Sequence, residues 1–266
     1  MLDIFSYQFM QRAFIVGILV AITISLIGVV VVFKRYAMLG DTLAHNSLAG
    51  VGLAFIIGLN PIIGAIIFSL LASFSVEFIK NKLPKYNELA IAIIMAFGIG
   101  MAALFSSFVP VSNFSSFLFG SIVVISDLEL LLTIILAIIV VLIMYFLYKE
   151  IFYITFDSAR ASLAGIRVNI INFILTLMIA IVISISSRTV GILIVSSLMT
   201  LPVASSILIA KSYKTTIIYS IMFSNFFVLV GLFLSYYLDL KPGGVIVMIG
   251  IITFIIINFI KYLRRI

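Results

Sequence analysis

Apolar residues run along this chain in long blocks, cut by short breaks that hold charge, proline or glycine. The blocks cover about 13–33, 38–58, 61–79, 89–107, 122–148, 168–186, 190–210, 215–237 and 243–260, each 18 to 27 residues long. A helix of about 20 residues at 1.5 Å per residue crosses a hydrocarbon core of about 30 Å. The pattern predicts an all-α polytopic membrane protein in a single domain over 1–266, with about nine transmembrane helices and eight as the alternative. The tight Asn60-Pro61 connection between the second and third spans is the least marked break. No small-residue cleavage pattern follows the first block, so it reads as a mature helix and not as a signal peptide.

Charge then orients the spans. With loops on alternating sides, one side collects Lys34, Arg35, Lys80, Lys82, Lys85, Lys149, Arg160, Arg167, Lys211, Lys214, Lys261, Arg264 and Arg265. The other side holds Arg12, Arg188 and Lys241. Thirteen cations against three is a positive-inside bias that puts the C-terminus in the cytoplasm. An odd number of spans puts the N-terminus outside.

Composition narrows the class further. The chain is 65% apolar and 9% charged, a balance that excludes a soluble domain. In such a protein a net charge of +7 speaks for membrane sidedness and not for nucleic acid. There is no cysteine, so disulfides and thiolate metal sites are both excluded.

The second span carries the candidate chemistry. Asp41 and His45, the only histidine, are four apart and project from one helix face. His45 lies roughly 15 Å beyond Arg35 at 1.5 Å per residue, near the bilayer midplane, where ionisable groups are costly and face a partner or a pathway. Either the two pair with each other and lock helices, or they touch a transported ion. Carboxylate and imidazole both ligate a borderline divalent cation such as zinc. Tight zinc sites use about four protein ligands. Two per chain therefore suit weak contact in a pore, or one ion shared across a two-fold axis.

Other features are plainer. Ser126 is placed to cap the fifth helix, with Asp127 and Glu129 in its first turn. Glu88 is a first-turn acid on the fourth. Pro202 kinks or breaks the seventh span, lining a cavity or simply packing there. The longest cytoplasmic loop, 150–167, predicts a short amphipathic helix, capped by Thr155 or Asp157 and ended by Gly165. It lies on the membrane surface or docks a cytoplasmic partner through Phe156 and Ile166. No glycine precedes a lysine, so the chain has no P-loop. It is not an enzyme by this reading, and ATP, if used, is bound by another polypeptide.

Four stretches carry a family resemblance across essentially the whole chain. They are Phe33-Lys34-Arg35 with Leu39-Gly40-Asp41-Thr42-Leu43-Ala44-His45, then Tyr148-Lys149-Glu150 with Thr155-Phe156-Asp157 and Gly165-Ile166. Val190-Gly191-Ile192 through Leu201-Pro202-Val203-Ala204 follows, and last Leu234-Ser235-Tyr236-Tyr237-Leu238-Asp239-Leu240 with Pro242-Gly243-Gly244. The chain resembles the permease subunits of bacterial ABC importers for zinc, manganese or ferrous iron. Around Tyr86-Asn87-Glu88 and Phe146-Leu147-Tyr148 it is more similar to zinc members. The resemblance implies a fold like that of the vitamin B12 importer permease and a pore made by two copies in the bacterial plasma membrane. It implies two ATPase subunits and an extracytoplasmic binding protein that delivers the metal. Asp41 and His45 would be metal contacts, and the Thr155–Gly165 loop the coupling helix. The transported metal is substrate, and no permanently bound cofactor is expected. The alternatives are a manganese or iron importer permease of the same type, and a proton-coupled metal carrier with Asp41 and His45 as its relay.

Overall fold

The computed structural model describes residues 7–82, 86–120 and 125–263. Each predicted apolar block forms a helix among them: α1 Gln8–Phe33, α2 Ala37–Ile57, α3 Pro61–Lys82 and α4 Asn87–Ser106, then, past the short α5 Val111–Phe119, α6 Asp127–Phe146. The helices α7 Tyr148–Phe156 and α8 Ser158–Leu163 follow, then α9 Val168–Thr189, α10 Ile192–Ile209, α11 Tyr213–Leu238 and α12 Pro242–Leu263. Seven of these, α1, α3, α4, α6, α9, α11 and α12, are long and apolar enough to cross a membrane. In α2 the polar run Asp41, His45, Asn46 and Ser47 dilutes the apolar character. The apolar part of α10, Ile194–Ile209, falls in the shorter class.

Local chemistry sets the ends. The least marked break is a clean one: the Leu59 N–H turns back to the Ala54 carbonyl, and the Asn60 side chain accepts from Ile62 N–H at 2.9 Å. The second helix is closed and the third capped, with Pro61 at the first helical position where no N–H is needed. Ser126 and Glu129 form a reciprocal capping box at the start of α6, as their spacing predicts. Asp127 pairs with Arg12 of α1 at 2.6 Å. Glu88 sits in the first turn of α4.

Two predicted boundaries need correction. The fifth span, expected over 122–148, is helical from Asp127 to Phe146, and a one-residue break at Leu147 separates it from α7; residues 121–124 lie outside the described residues. The stretch around Phe114, between the fourth and fifth apolar blocks, contains α5. Its Phe117 is buried and meets Phe55 of α2 edge to face at 6.0 Å.

α1 is the central helix, mostly buried, against α6, α9, α10 and α11. α4, α6 and α12 turn large apolar side chains outward, the face a lipid solvent requires. Between helices, where lipid tails remove most of the hydrophobic drive, close approach and hydrogen bonds hold the bundle. Ser69 of α3 donates to the Ala180 carbonyl of α9 at 3.3 Å, Ser184 of α9 to the Ala65 carbonyl at 3.2 Å, and Ser220 of α11 to Ser206 of α10 at 3.0 Å.

The two ends of the bundle separate as the charges predict. One end joins the close of α1, the start of α2, the close of α3 and the start of α9 around one cavity. The aromatic contacts of Phe33, Phe152, Phe156 and Tyr213 bring α7 and the start of α11 to the same end. Lys34, Arg35, Lys80 and Arg160 lie here. Arg12 belongs to the opposite end, with Ile125 and Asp127. Lys85, Arg264 and Arg265 lie outside the described residues.

Candidate functional site

α2 is held in a fixed rotation about its axis. Thr42 donates to the Ile91 carbonyl of α4 at 3.3 Å, and the buried Asn46 donates to the Ile94 carbonyl at 2.9 Å. On another flank the backbone at Gly50 touches that at Gly64 of α3, leaving no room for a Cβ on either. A Cβ on Gly40 would lie 3.0 Å from the Met199 sulfur and 4.0 Å from the Ser196 Cβ of α10. At about 100° per residue, Gly40 faces α10 while Thr42 and Asn46 face α4. Asp41 and His45 occupy the arc between them.

Both are partly buried. Among the described residues neither makes a hydrogen bond or an ion pair, to the other or to any third group. The alternative in which they lock helices by pairing is therefore not what this structure contains. The same arc of α10 offers Ser196 and Thr200, partly buried, with the Thr200 hydroxyl donating to the Ser196 carbonyl at 3.1 Å. Among the described residues no three Asp, Glu or His side chains come together. One chain thus presents one carboxylate and one imidazole. Pro202 lies on the buried side of α10, and the helix runs through it.

The loop 150–167 is two helices and not one. Thr155 belongs to the last turn of α7, its hydroxyl donating to the Ile151 carbonyl at 2.6 Å. Asp157 caps α8, accepting from Arg160 N–H at 2.9 Å and pairing with the Arg160 side chain at 3.0 Å. Gly165, with φ of 84°, turns the chain so that Ile166 N–H reaches the Ala161 carbonyl at 3.1 Å. This is the left-handed close that glycine favours. Ile166 packs inward on the core. The outward apolar residue is Leu163, 89% exposed, which the sequence reading missed. An arginine and serines around it disguise its role, and only the short length of α8 isolates it. Phe156 is 57% exposed. Its buried side enters a ring cluster with Phe33, Phe152 and Tyr213, at centroid distances of 5.0 to 5.8 Å. That cluster ties the loop to α1 and α11.

Comparison with known proteins fits this architecture. The chain is 32% identical over 261 residues, 98% of both chains, to a probable metal transport system membrane protein of Treponema pallidum. It is 29% identical over 265 residues to the manganese import system permease protein ScaB of Streptococcus gordonii, covering 98% of this chain and 95% of that one. Among solved structures, PsaBC from Streptococcus pneumoniae in complex with Fab superposes with a TM-score of 0.84 at 27% identity, over 94% of this chain and 91% of that one. An inward-facing metal-chelate type ABC transporter shares the fold, with a TM-score of 0.76 at 16% identity over 94% of this chain and 85% of that one. A profile of the ABC 3 transport family matches residues 6–261; with its seven membrane-length apolar helices, the protein is a multi-pass permease of the plasma membrane and belongs to that family.

Proposed function

We propose that this chain is the permease subunit of an ATP-driven importer of divalent transition-metal ions, with Asp41 and His45 in the ion's path. The observation that carries the reading is the pair itself: a carboxylate and an imidazole one turn apart, inside the bundle, with no hydrogen bond or ion pair among the described residues. An ionisable pair that stabilises no helix contact is costly at that depth unless it serves a passing charge. The relatives' names support a metal cargo, and they lean toward manganese where the sequence resemblance leaned toward zinc. A donor set of oxygen and nitrogen without sulfur accepts either. Membership of an ABC family leaves the proton-coupled carrier without support.

Two copies would bring two such pairs to one axis, four ligands in all, without a tight site in either chain. An ATPase would grip the α7–α8 segment through Leu163 and Phe156, and an extracytoplasmic protein would supply the metal. The all-helical fold supports the nine-span arrangement, with α2 and α10 crossing beside the seven more apolar helices and the cation-rich end in the cytoplasm.

The test is uptake of radioactive manganese and zinc by cells that depend on this chain. His45→Ala and Asp41→Ala each abolish uptake while the ATPase still co-purifies. Asp41→Asn is nearly as damaging, since it keeps shape and removes charge. Wild-type uptake by His45→Ala would return the pair to a structural role.

A further inference from the structure

At the cation-rich end, α1, α2, α3 and α9 enclose a cavity of about 180 Å³ that has no part in the metal path. Two ammonium groups line it. Lys80 stands over the Tyr36 ring, 3.9 Å from its centroid, and pairs with Glu77 at 3.6 Å. Lys34 donates to the Asn172 side-chain oxygen, a neutral acceptor. The wall therefore carries two positive charges and one negative. A partly buried ammonium without a carboxylate in contact is a group whose counter-charge is missing. Burial, with Lys80 nearby, pushes Lys34 down to about 8 from its ordinary 10.5, and Glu77 only partly opposes this. A metal cation is repelled here, and an anion is drawn in.

We infer that this cavity binds a phosphate group, and that its source is the headgroup of an anionic phospholipid. Three observations favour the lipid over a dissolved anion. Lys34 directly follows one membrane-length helix and Lys80 ends another, which puts both at headgroup depth. Phe74 of α3, six residues inward of Lys80, meets Phe173 of α9 at 5.5 Å. Both rings are more than 40% exposed, a surface for acyl chains directly beneath the phosphate. Basic pockets between transmembrane helices are the usual receptors for such headgroups. The inference stands apart from the transport reading, since it requires neither metal nor ATPase.

The experiment is native mass spectrometry of the full chain in detergent, titrated with phosphatidylglycerol or phosphatidylcholine. The wild type retains one phosphatidylglycerol per chain at concentrations where phosphatidylcholine is stripped. Lys34→Gln with Lys80→Gln lowers that affinity roughly thirty-fold, the worth of two interfacial cations. Lys34→Arg keeps it, and so does Lys211→Gln, which removes an exposed cation at another helix connection. If the double variant does not fold, Lys34→Gln alone is read against Lys34→Arg. Equal retention of the two lipids by the wild type, or phosphatidylglycerol retention indifferent to Lys34 and Lys80, overturns the site. Lys34-dependent binding of inorganic phosphate by a chain that shows no lipid preference overturns the headgroup as ligand.

Discussion

Lys34 lies one residue past the end of α1, with Lys80, Glu77 and Tyr36 as the titratable groups around it. Its depressed pKa has a consequence for stability. From about pH 8 to 10.5 the unfolded chain still holds a proton that the folded chain has released. Stability therefore rises with pH across that window, and the cost of the buried charge is fully present below it. Thermal unfolding of lipid-stripped protein shows a midpoint for the wild type that climbs relative to Lys34→Gln as pH passes through the window. A constant difference would mean that Lys34 is solvated in solution. The sequence marks this residue by its place at a span end and within the Phe33-Lys34-Arg35 stretch, but not as a cavity wall, because its partners Lys80 and Asn172 are distant in the chain and meet only through the fold. Asn46 was equally hidden. Next to Asp41 and His45 it looks like one more polar residue on a candidate site, yet its amide faces away and fastens α2 to α4. The pair itself was legible, because a lone histidine four residues from a carboxylate inside an apolar block has few uses.

At the scale of elements, the long helices were legible because membrane-spanning segments announce themselves by apolar length alone. What hydropathy could not see were helix breaks inside an apolar stretch. From 122 to 156 the chain stays largely apolar while passing through the start of α6, the break at Leu147 and the whole of α7. α5 escaped for the opposite reason, its serines diluting a helix whose Phe114 and Phe117 nevertheless stand three apart on one face. The α7–α8 segment gives a sharp test. Gly165→Val places a β-branched residue at φ of 84° and unravels the end of α8. ATP hydrolysis in the assembled transporter then proceeds without uptake. Leu163→Ser leaves the chain's own thermal midpoint unchanged, because the side chain touches little of it, and weakens retention of the ATPase on co-purification. Full retention would move the docking surface away from α8.

At the scale of the molecule, the division of cations between loops was the most informative feature of the sequence; Lys34, Arg35, Lys80 and Arg160 lie at one end of the bundle and Arg12 at the other. Because the chain has no cysteine, single cysteines report sidedness without background. Ser158→Cys labels from the cytoplasm alone and Lys241→Cys from outside alone. Labelling of position 158 from outside would invert the arrangement. The cavity between α1, α3 and α9 and the one beside α7 and the start of α8 share Lys34, Tyr36 and Asn172.

α2 is stitched to α4 by Thr42 and Asn46 and pressed backbone to backbone on α3 at Gly50. Against α10 it packs at Gly40 beside the flexible Met199 side chain and Ser196. We predict that α2 moves together with α3 and α4, carrying Asp41 and His45, and that the seam between Gly40 and Ser196 shears during transport. A Cβ separation of 4.0 Å suits a disulfide. Gly40→Cys with Ser196→Cys should form one under mild oxidation, arrest uptake with the ATPase still attached, and release it on reduction. Undiminished uptake by the oxidised pair would mean that the seam stays shut throughout the cycle and that the moving boundary lies elsewhere.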